Sequence, residues 1–494
     1  MNNLHYSSIF VCKNGSKIPL LKSGRSIESK YNPENSAETI LQTVNKNCSF
    51  FIVLGIGSGI LLKKILEKTS AQKIIAVEYS SDDILFLKQN FPYLESTQNV
   101  IFSDIENLEN VILKNYLPAI YGNLEIIPQK TWLLEEDNLN IRINSIIQES
   151  LKKISADYSV QCHFGKIWQK NILNNLKLSS KKFSQLTIEN SQNKTATIIA
   201  AGPSLENSIQ KIKENRENYV IFSTDTAYPV LLKNKIMSDY VISIDGQYLS
   251  YNHFFNFDKN QKTVFLFDLT GNFSAARNII NHDFPLYYFI SGHPFCNFLN
   301  SKSNLKLNYI NSGSGTVTIS ALDIALKSGF QNIEIFGADF CYSNGKSYVK
   351  GTYLDRIYAL QSNKINEIET FFDKLLFRTE LINKTKNTFT TEVLNSYKNS
   401  LEEYLVQNRC TFEKTNFIYK IKNPTNNKLT FYSVPENLNQ IYETISKTPL
   451  EELKTPLLPF IANLKYKKNE YFSKNQNNME ETLKLARQIV VSYN

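Results

Sequence analysis

Two apolar runs in this chain end in a glycine-containing turn and pass directly into a helix. The first is Phe50 to Leu54, followed by Gly55-Ile56-Gly57-Ser58-Gly59; the second is Ile198 to Ala201, followed by Gly202-Pro203-Ser204. A short, continuous apolar run is typical of a parallel strand that is buried on both faces. A helix N-terminus directly after such a strand presents unpaired amides, so the turn is a common place to hold an anion. The pattern predicts two parallel α/β units.

The first turn has the layout of a nucleotide-binding unit. A predicted helix, Ile60 to Lys68, follows it, and a second strand, Lys73 to Val77, ends in Glu78. In such units the glycines admit a ligand close to the backbone, and the acid accepts a hydrogen bond from a ribose hydroxyl. Methyltransferases share this layout, but no methyltransferase motif follows "VIFSDIENL". We therefore favour a scaffolding domain over a live cofactor site and keep both open.

The second turn opens a longer series of strands and helices that extends to about Tyr358. Their regular alternation predicts a parallel, doubly wound α/β sheet. The predicted strands lie near Thr197–Ala201, Tyr219–Ser223, Tyr240–Ile244, Val264–Phe267, Leu286–Ile290 and Ile333–Phe336.

The chain as a whole is predicted to be an α/β protein of four segments. These are a Rossmann-like N-terminal domain (1–130), a helical connector (131–190), a central doubly wound domain (191–358) and a mostly helical C-terminal domain (359–494). Within the last segment, "FIYKIKNPTNNKLTFYSVPE" predicts a short strand pair. The stretch "IETFFDKLLF" (Ile368 to Phe377) predicts an amphipathic helix that packs onto the central sheet, with a protein acceptor or a second copy as alternatives.

Composition excludes several classes of function. The 494 residues carry a modest net charge of +9 without a long Lys/Arg run, so we expect no nucleic-acid partner, although the charge would suit an anionic substrate. No apolar run approaches the roughly 20 residues of a membrane span, so we expect no membrane partner. The six scattered cysteines show no metal-type spacing and no signal peptide precedes them, which predicts no metal site and a cytoplasmic protein. Oligomeric state stays open.

Four stretches of the central domain place polar residues where parallel strands end. They are "AAGPSLENS" (200–208), "STDTAYP" (223–229), "SIDGQ" (243–247) and the segment 311–351, which opens with "NSGSGTVTIS". Each alone has an ordinary structural explanation, such as a turn cap or a packing aromatic. Because these strand ends meet at one edge of the sheet, their convergence predicts a binding site. Its candidate residues are Gly202, Pro203, Ser204, Asp225, Asp245, Gln247, Ser312, Gly313, Ser314, Gly315, Asp339, Tyr342 and Tyr348.

Two of these stretches are predicted anion cradles. In the first, Pro203 suits the first helical turn, Ser204 can cap the following amides, and Gly202 lets a ligand approach the backbone. We therefore expect a bulky residue at Gly202 to abolish nucleotide binding and spare the fold. In the second, the run from Ser312 to Thr316 directly precedes a helix and offers amides and hydroxyls.

The four stretches, in this order and spacing, resemble the motility accessory factor family, glycosyltransferases that decorate flagellin with nonulosonic (sialic-acid-like) sugars. The lead-in "SKYNPENSAETIL" and the unit "VLGIGSG…IIAVEYS" resemble the N-terminal domain of that family, so the likeness covers about residues 30 to 360. The central part resembles bacterial sialyltransferases through "AGPSL", "SGSGTVTISALDIALKSGFQNIEIFGADF" and "NGKSY". Archaeal pterin diphosphokinases share the "AGPSL" and "SIDGQ" type stretches.

This resemblance implies transfer of a nonulosonic acid from a CMP-activated donor, of the CMP-pseudaminic or CMP-legionaminic type, to Ser or Thr of flagellin. It implies that Gly202 to Ser204 hold the nucleotide, that Asp225, Asp245 and Gln247 contact nucleotide or sugar, and that Ser312 to Gly315 line the donor. Tyr348 and Tyr342 would donate to the departing phosphate, with inversion at the anomeric carbon and no required cofactor or metal.

The chain departs from the sialyltransferase pattern in one respect. Such enzymes carry a catalytic histidine after the tyrosine loop, whereas all five histidines here (His5, His163, His253, His282 and His293) precede residue 300. Asp339, Asp355, His293 or the donor itself would then accept the proton. Two alternatives stay open: a 6-hydroxymethylpterin diphosphokinase that uses ATP and Mg²⁺ held by Asp225, Asp245 and Asp339, and a non-catalytic flagellin-binding accessory protein.

Overall fold

The computed structural model describes residues 4–179, 185–190, 194–303, 305–385, 387–433, 438–467 and 478–492. The chain divides into two compact units, which we describe separately. Unit 1 comprises Met1–Lys166 and Leu457–Ala486, and unit 2 comprises Ile167–Pro456 and Arg487–Asn494. The boundary at residue 166 falls inside one long helix, in the segment predicted to be a helical connector.

The helices and strands, in chain order, are β1 (Tyr6–Val11), β2 (Lys17–Leu21), α1 (Pro33–Gln42), β3 (Phe50–Leu54), α2 (Ile60–Lys68), β4 (Lys73–Glu78), α3 (Ser81–Asn90), β5 (Val100–Asp104), α4 (Leu108–Asn115), α5 (Pro118–Tyr121), β6 (Leu124–Pro128), α6 (Lys130–Leu133), α7 (Leu139–Ser179), β7 (Leu186–Ile188), β8 (Thr195–Ile199), α8 (Leu205–Glu214), β9 (Tyr219–Thr224), α9 (Tyr228–Lys233), β10 (Tyr240–Ser243), β11 (Val264–Asp268), α10 (Phe273–Asn281), β12 (Leu286–Phe289), α11 (Pro294–Lys302), α12 (Val317–Lys327), β13 (Asn332–Phe336), β14 (Tyr342–Ser343), α13 (Tyr353–Gln361), α14 (Ile368–Leu376), β15 (Ile382–Thr385), β16 (Thr388–Thr390), α15 (Glu392–Gln407), β17 (Thr411–Thr415), β18 (Ile418–Lys422), β19 (Leu429–Phe431), α16 (Leu438–Lys447), α17 (Leu450–Leu453), α18 (Leu458–Lys467) and α19 (Asn478–Val491).

Unit 1 is built on a four-stranded parallel sheet in the order β5-β4-β3-β6, which confirms the Rossmann-like prediction. Every residue of β3 is buried, as its continuous apolar run requires. The chain runs from β3 outward through β4 to β5 and then returns to the other side of β3 as β6. Ligands of such sheets bind at the carboxyl ends where this reversal occurs, here between β3 and β6.

Unit 2 contains an eight-stranded sheet in the order β12-β11-β10-β9-β8-β13-β18-β17. The six strands from β12 to β13 are parallel, which confirms the doubly wound prediction, and all six lie where the sequence placed them. β18 extends the sheet antiparallel to β13, and β17 pairs antiparallel with β18 at its edge. The chain order reverses between β8 and β13, so the crevice expected for a ligand opens at their carboxyl ends.

Helix α12 explains the apolar stretch that follows the serine-glycine run. Nine of its eleven residues are buried, because it packs against β8, β9 and β10. A helix that is apolar on nearly all sides is a core helix. It therefore fixes the preceding loop, residues 311–316, at the sheet edge.

The C-terminal region is mostly helical, as predicted, but two finer expectations are wrong. The strands β18 and β19 do not pair with each other: β18 joins β13, whereas β19 pairs with β7. Both edges of β18 are already paired, one with β13 and the other with β17 in a local hairpin, so no edge is left for β19. Helix α14 packs against α13, where Tyr358 stacks on Phe371, and of its residues only Leu376 is buried.

None of the helices within the described residues is long and apolar enough to cross a membrane.

Gly202, in the turn after β8, packs closely against the segment that follows β13 and yields a test of this packing. A Cβ at residue 202 would collide with the carbonyl oxygen of Gly337 and lie 2.7 Å from Cγ of Asp339. We expect Gly202→Ala to lower the free energy of unfolding by about 2–3 kcal/mol, as overpacking does. The measurement is urea unfolding.

Gly345→Ala is the matched control, because a Cβ there meets nothing within 4 Å. It should cost only the roughly 1–2 kcal/mol of a side chain at positive φ. If both variants lost the same free energy of unfolding, the proposed collision at Gly202 would be contradicted.

Candidate functional site

The turn after β8 is closed by the protein's own carboxylate. Asp339, which follows β13, accepts a hydrogen bond from the backbone amide of Ser204 at 2.8 Å and another from the Ser204 hydroxyl. The amide of Gly202 donates to the carbonyl of Gly337 at 2.8 Å. Asp339 is buried, and this burial raises the pKa of its carboxyl, partly offset by the two bonds from Ser204. The crevice between β8 and β13 therefore contains Asp339.

Three expectations for this turn need correction. Ser204 does not cap α8, because its hydroxyl donates to Asp339. Pro203 lies in the turn, two residues before the helix begins at Leu205. The space that Gly202 leaves open is occupied by the Gly337 carbonyl and Asp339, so a bulky residue there would disturb the fold.

The serine-glycine loop also uses its amides internally. The Gly313 amide donates to Asn311 Oδ1 at 2.7 Å, and the Ser314 amide donates to Ser400 Oγ at 3.2 Å. The amides of Gly315 and Thr316 both donate to the carbonyl of Ser312 at 2.9 Å. Gly313, Ser314 and Gly315 are exposed, so this loop offers a ligand its hydroxyls, whereas the predicted cradle of free amides is not formed.

Asp225 and Asp245 follow adjacent strands, β9 and β10, and differ in their surroundings. Asp225 is buried and accepts hydrogen bonds from the Thr226 amide at 2.7 Å and the Ser243 hydroxyl at 2.7 Å. Asp245 is half-buried and accepts from the amide of Gln247 at 2.8 Å. Burial, with a contribution from the charge of Asp225, raises the pKa of Asp245 to about 6. The side chain of Gln247 is exposed.

The tyrosine loop returns to the end of β8, where the amide of Val349 donates to the carbonyl of Ala201 at 2.9 Å. This bond holds Tyr348 at the sheet edge. Tyr348 exposes 39% of its surface, yet burial of its hydroxyl raises the pKa, followed by the influence of Tyr342 and Asp225. Burial also raises the pKa of Tyr342. The structure therefore brings both predicted tyrosines to the site of the two aspartates.

Three residues that sequence reasoning missed belong to the same cluster. The pKa of Tyr353 is raised to about 12 by burial and by nearby groups that include Tyr348 and Asp245. Its ring lies 4.6 Å from that of His253. Burial lowers the pKa of His253, and the charge of Asp225 partly opposes this effect. The charge of Arg378 counteracts the rise in the pKa of both Tyr342 and Tyr348. The only available signal was a tyrosine close behind "NGKSYVKG".

The proton acceptors that we named from the sequence are engaged elsewhere. His293 caps α11 by accepting from the Phe295 amide at 3.3 Å, and burial lowers its pKa to about 3. Asp355 accepts from the amide of Gly351. Asp339 is bonded to Ser204. Among the carboxylates of the cluster, Asp245 combines partial exposure with a raised pKa, which suits a general base.

The glycine turn of unit 1 is closed in a similar way. Glu28 accepts a hydrogen bond from the Ser58 amide at 2.8 Å and one from the Ser58 hydroxyl at 2.5 Å. A Cβ at Gly57 would lie 2.9 Å from the Glu28 carboxylate. Burial raises the pKa of Glu28 to about 7. A side chain of the chain itself occupies the position at which a nucleotide phosphate would meet this helix N-terminus.

Glu78, the acid predicted to bind a ribose, is also hydrogen-bonded within the protein. Glu78 is fully buried and accepts from the Ile56 amide at 2.7 Å, from Tyr6 at 2.8 Å and from Trp132 Nε1 at 2.9 Å. Trp132, which follows β6, also lies against Gly55, where a Cβ would approach its ring to 2.8 Å. The crevice between β3 and β6 thus contains an indole, which favours the scaffolding interpretation of this unit.

Within the described residues, no group of three or more His, Cys, Asp or Glu side chains is placed to hold a metal ion. Asp225, Asp245 and Asp339, the carboxylates that a magnesium-dependent reaction would need, do not form such a group.

Comparison with known proteins gives two kinds of likeness. Residues 170–345 match the family model of MptE-like proteins, described as 6-hydroxymethylpterin diphosphokinase MptE-like. Two uncharacterized proteins of Treponema pallidum (strain Nichols) are 41% and 32% identical over 140 and 141 residues, 28% of this chain in each case. These matches span 66% and 50% of the two relatives, so the chain corresponds to about half to two thirds of their length.

Among solved structures, the MAf glycosyltransferase from Magnetospirillum magneticum AMB-1 has a similar fold. The likeness covers 100% of this chain and 93% of that protein, with a TM-score of 0.57 and 12% sequence identity. The fold expected from the sequence resemblance is confirmed, together with the likeness of the central region to pterin diphosphokinases.

The carboxyl of Glu28 yields a prediction about stability and pH. A pKa of about 7 in the folded protein, above the ordinary glutamate value of 4.5, means that the protonated form is favoured in the folded protein. The stability that this provides is present below pH 4.5 and is lost as the pH rises through 7. Glu28→Gln keeps the shape of the side chain but does not titrate. We therefore expect the free energy of unfolding of this variant, relative to that of the parent, to increase across this window by on the order of 3 kcal/mol.

The measurement is urea unfolding at pH 4.5 and 8, in a Trp168→Phe background in which Trp132 alone reports on unit 1. Glu95→Gln, at an exposed carboxylate of the same unit, is the control. If the free energies of unfolding of Glu28→Gln and the parent changed equally between the two pH values, the raised pKa of Glu28 would be contradicted.

Proposed function

We propose that this protein is a glycosyltransferase that moves a nonulosonic (sialic-acid-like) sugar from a CMP-activated donor to Ser or Thr of flagellin, in the cytoplasm and with inversion at the anomeric carbon. The single observation that carries the proposal is that the tyrosine loop, bonded to Ala201 at the end of β8, lies at the same carboxyl edge as Asp225 and Asp245, which follow β9 and β10, in a sheet with the MAf glycosyltransferase fold. Hydrogen-bond donors for a phosphate and a carboxylate that can accept a proton therefore lie at one edge of the sheet. Glycosyl transfer from a nucleotide phosphate requires both.

The tyrosines and Arg378 would stabilise the leaving group. When the bond from the sugar to CMP breaks, negative charge develops on the phosphate, and donors aimed at that charge lower the barrier. Because burial raises the pKa of Tyr348 and Tyr342, both hydroxyls keep their protons near neutral pH and act as hydrogen-bond donors. Arg378 supplies a fixed positive charge to the same region.

Asp245 would accept the proton of the attacking hydroxyl. Its pKa of about 6 leaves it mostly ionised at neutral pH but close enough to that pH to be an effective base. Asp225 raises this pKa through its negative charge and is held by Thr226 and Ser243, so we assign it a positioning role.

The sequence match to diphosphokinases favours a second candidate, transfer of diphosphate from ATP to a hydroxymethylpterin. That reaction uses Mg²⁺, and the named carboxylates do not fit it: Asp339 is bonded to Ser204 and Asp225 to Ser243. Magnesium-dependent release of AMP from ATP in the presence of a hydroxymethylpterin would establish this alternative. A protein that binds flagellin but neither nucleotide would instead be an accessory factor.

The proposed function predicts that CMP binds the purified protein and that Tyr348→Phe slows transfer. Loss of one hydroxyl from the leaving-group site should reduce the rate by about 10²–10³, as loss of an oxyanion donor does. The measurements are calorimetry with CMP and mass spectrometry of flagellin incubated with a CMP-nonulosonate.

Tyr432→Phe is the matched control for this prediction, because Tyr432 is 40% exposed, close to the 39% of Tyr348. It should leave the rate unchanged. Failure of any cytidine nucleotide to bind the parent protein would overturn the assigned donor.

A second prediction concerns Asp245 and pH. We expect the parent rate to rise with pH through about 6, as Asp245 loses its proton. Asp245→Asn should remove this rise and lower the rate by about 10²–10⁴, with CMP binding retained. Asp373→Asn, at an exposed residue of α14, serves as the control. An unchanged acid limb in Asp245→Asn would exclude Asp245 as the base.

A further inference from the structure

A cavity of about 450 Å³ lies beside the tyrosine cluster in unit 2. Its walls come from the end of α9, the segment 252–258 and the N-terminus of α13. Cavities of roughly 300–1,000 Å³ are the usual size for sites of small organic ligands. Tyr353 lines this cavity together with Gly351 and Thr352, and these three residues follow Tyr348 of the tyrosine loop by three to five positions. The cavity therefore adjoins the proposed site of transfer.

The walls carry two positive side chains that are available to an anion. Arg356 lies 3.8 Å above the ring of Phe255 and donates one N–H to Asn252 Oδ1 at 2.9 Å, so its guanidinium is held in place. The exposed Lys233 packs its stem against Gly351, where a Cβ would meet its Cδ at 3.6 Å. The carboxylate in the wall, Asp258, accepts from the Asn260 amide and from Gln261 within its own turn.

Two polar side chains of these walls hold a buried atom that has no hydrogen-bond partner among the described residues. Thr352, the N-cap of α13, is 4% exposed and makes no capping bond, and His253 is 6% exposed. In the described part of the chain, neither Thr352 Oγ1 nor His253 Nδ1 has a hydrogen-bond partner. Buried polar atoms are nearly always bonded, and each such exception needs an explanation. The N-terminus of α13 adds a partial positive charge at the same wall.

We infer that this cavity is a subsite for a carboxylate-bearing sugar, with the carboxylate held by Arg356 and Lys233. The sugar ring would lie against Phe255 and Phe257, which line the same cavity. This inference rests on the proposed function, since it places the sugar half of the donor next to the tyrosines that would hold the phosphate.

The test uses N-acetylneuraminic acid as the acidic probe and N-acetylmannosamine as the neutral one, with binding followed by saturation-transfer NMR on the full chain. We expect the acid to bind the parent protein and the neutral sugar to bind at least tenfold more weakly. Arg356→Gln and Lys233→Gln should each weaken binding of the acid by about tenfold, whereas Thr352→Val, at a buried hydroxyl, should leave it unchanged. CMP affinity should stay unchanged in all three.

Lys259→Gln is the matched control, because Lys259 is exposed in the adjacent segment and does not line the cavity. Equal binding of the two probes, or equal loss in Lys259→Gln, would overturn the inference. Binding of inorganic phosphate that depends on Arg356, without binding of the acid, would show a phosphate site instead and would also overturn it.

The outcomes separate this inference from the proposed function. If CMP binds and the acid does not, the transferase proposal stands and the subsite falls. If the acid binds in a manner that depends on Arg356 and CMP does not bind, the subsite stands and the assigned donor falls. Thermal unfolding of each variant shows whether a loss of binding reflects a loss of fold.

Discussion

The bond between the Asp339 carboxylate and the Ser204 turn controls the arrangement of the central domain. It joins the ends of β8 and β13, the two strands between which the chain order reverses. A buried carboxylate is costly without donors, and Ser204 supplies both an amide and a hydroxyl. The tyrosine loop begins directly after Asp339 and returns to Ala201. The position of Tyr348 therefore depends on this contact.

Unit 1 satisfies the same constraint with different residues. Glu28 provides the anion at Ser58, and Trp132 occupies the space beside Gly55. In both units a glycine turn is required because another group approaches the backbone closely. That group belongs to the chain itself in each case. A strand, glycine turn and helix thus specify a close approach and an anion, but not whether the anion comes from a ligand.

This distinction explains how far the sequence could predict the structure. The parallel strands were predictable because each is a local, continuous apolar run. The closing groups were not: Asp339 is 135 residues from Ser204, Ser400 is 86 from Ser314, and Glu28 is 30 from Ser58. His253 and Tyr353 lie outside any recognisable motif, and only the fold brings them beside Asp225. Local pattern predicts elements, whereas distant partners decide which amides stay free.

The electrostatics of the cluster keep the proposed hydrogen-bond donors and the proposed proton acceptor in different protonation states. Burial raises the pKa of Asp245 and of the tyrosines, but from different starting values: Asp245 reaches about 6, and Tyr353 reaches about 12. Between these values the carboxyl is ionised and the phenol keeps its proton. A site that must accept a proton from a hydroxyl and donate hydrogen bonds to a phosphate needs both states at one pH. One low-polarity environment would therefore provide the proposed transferase with a base and its opposing hydrogen-bond donors together.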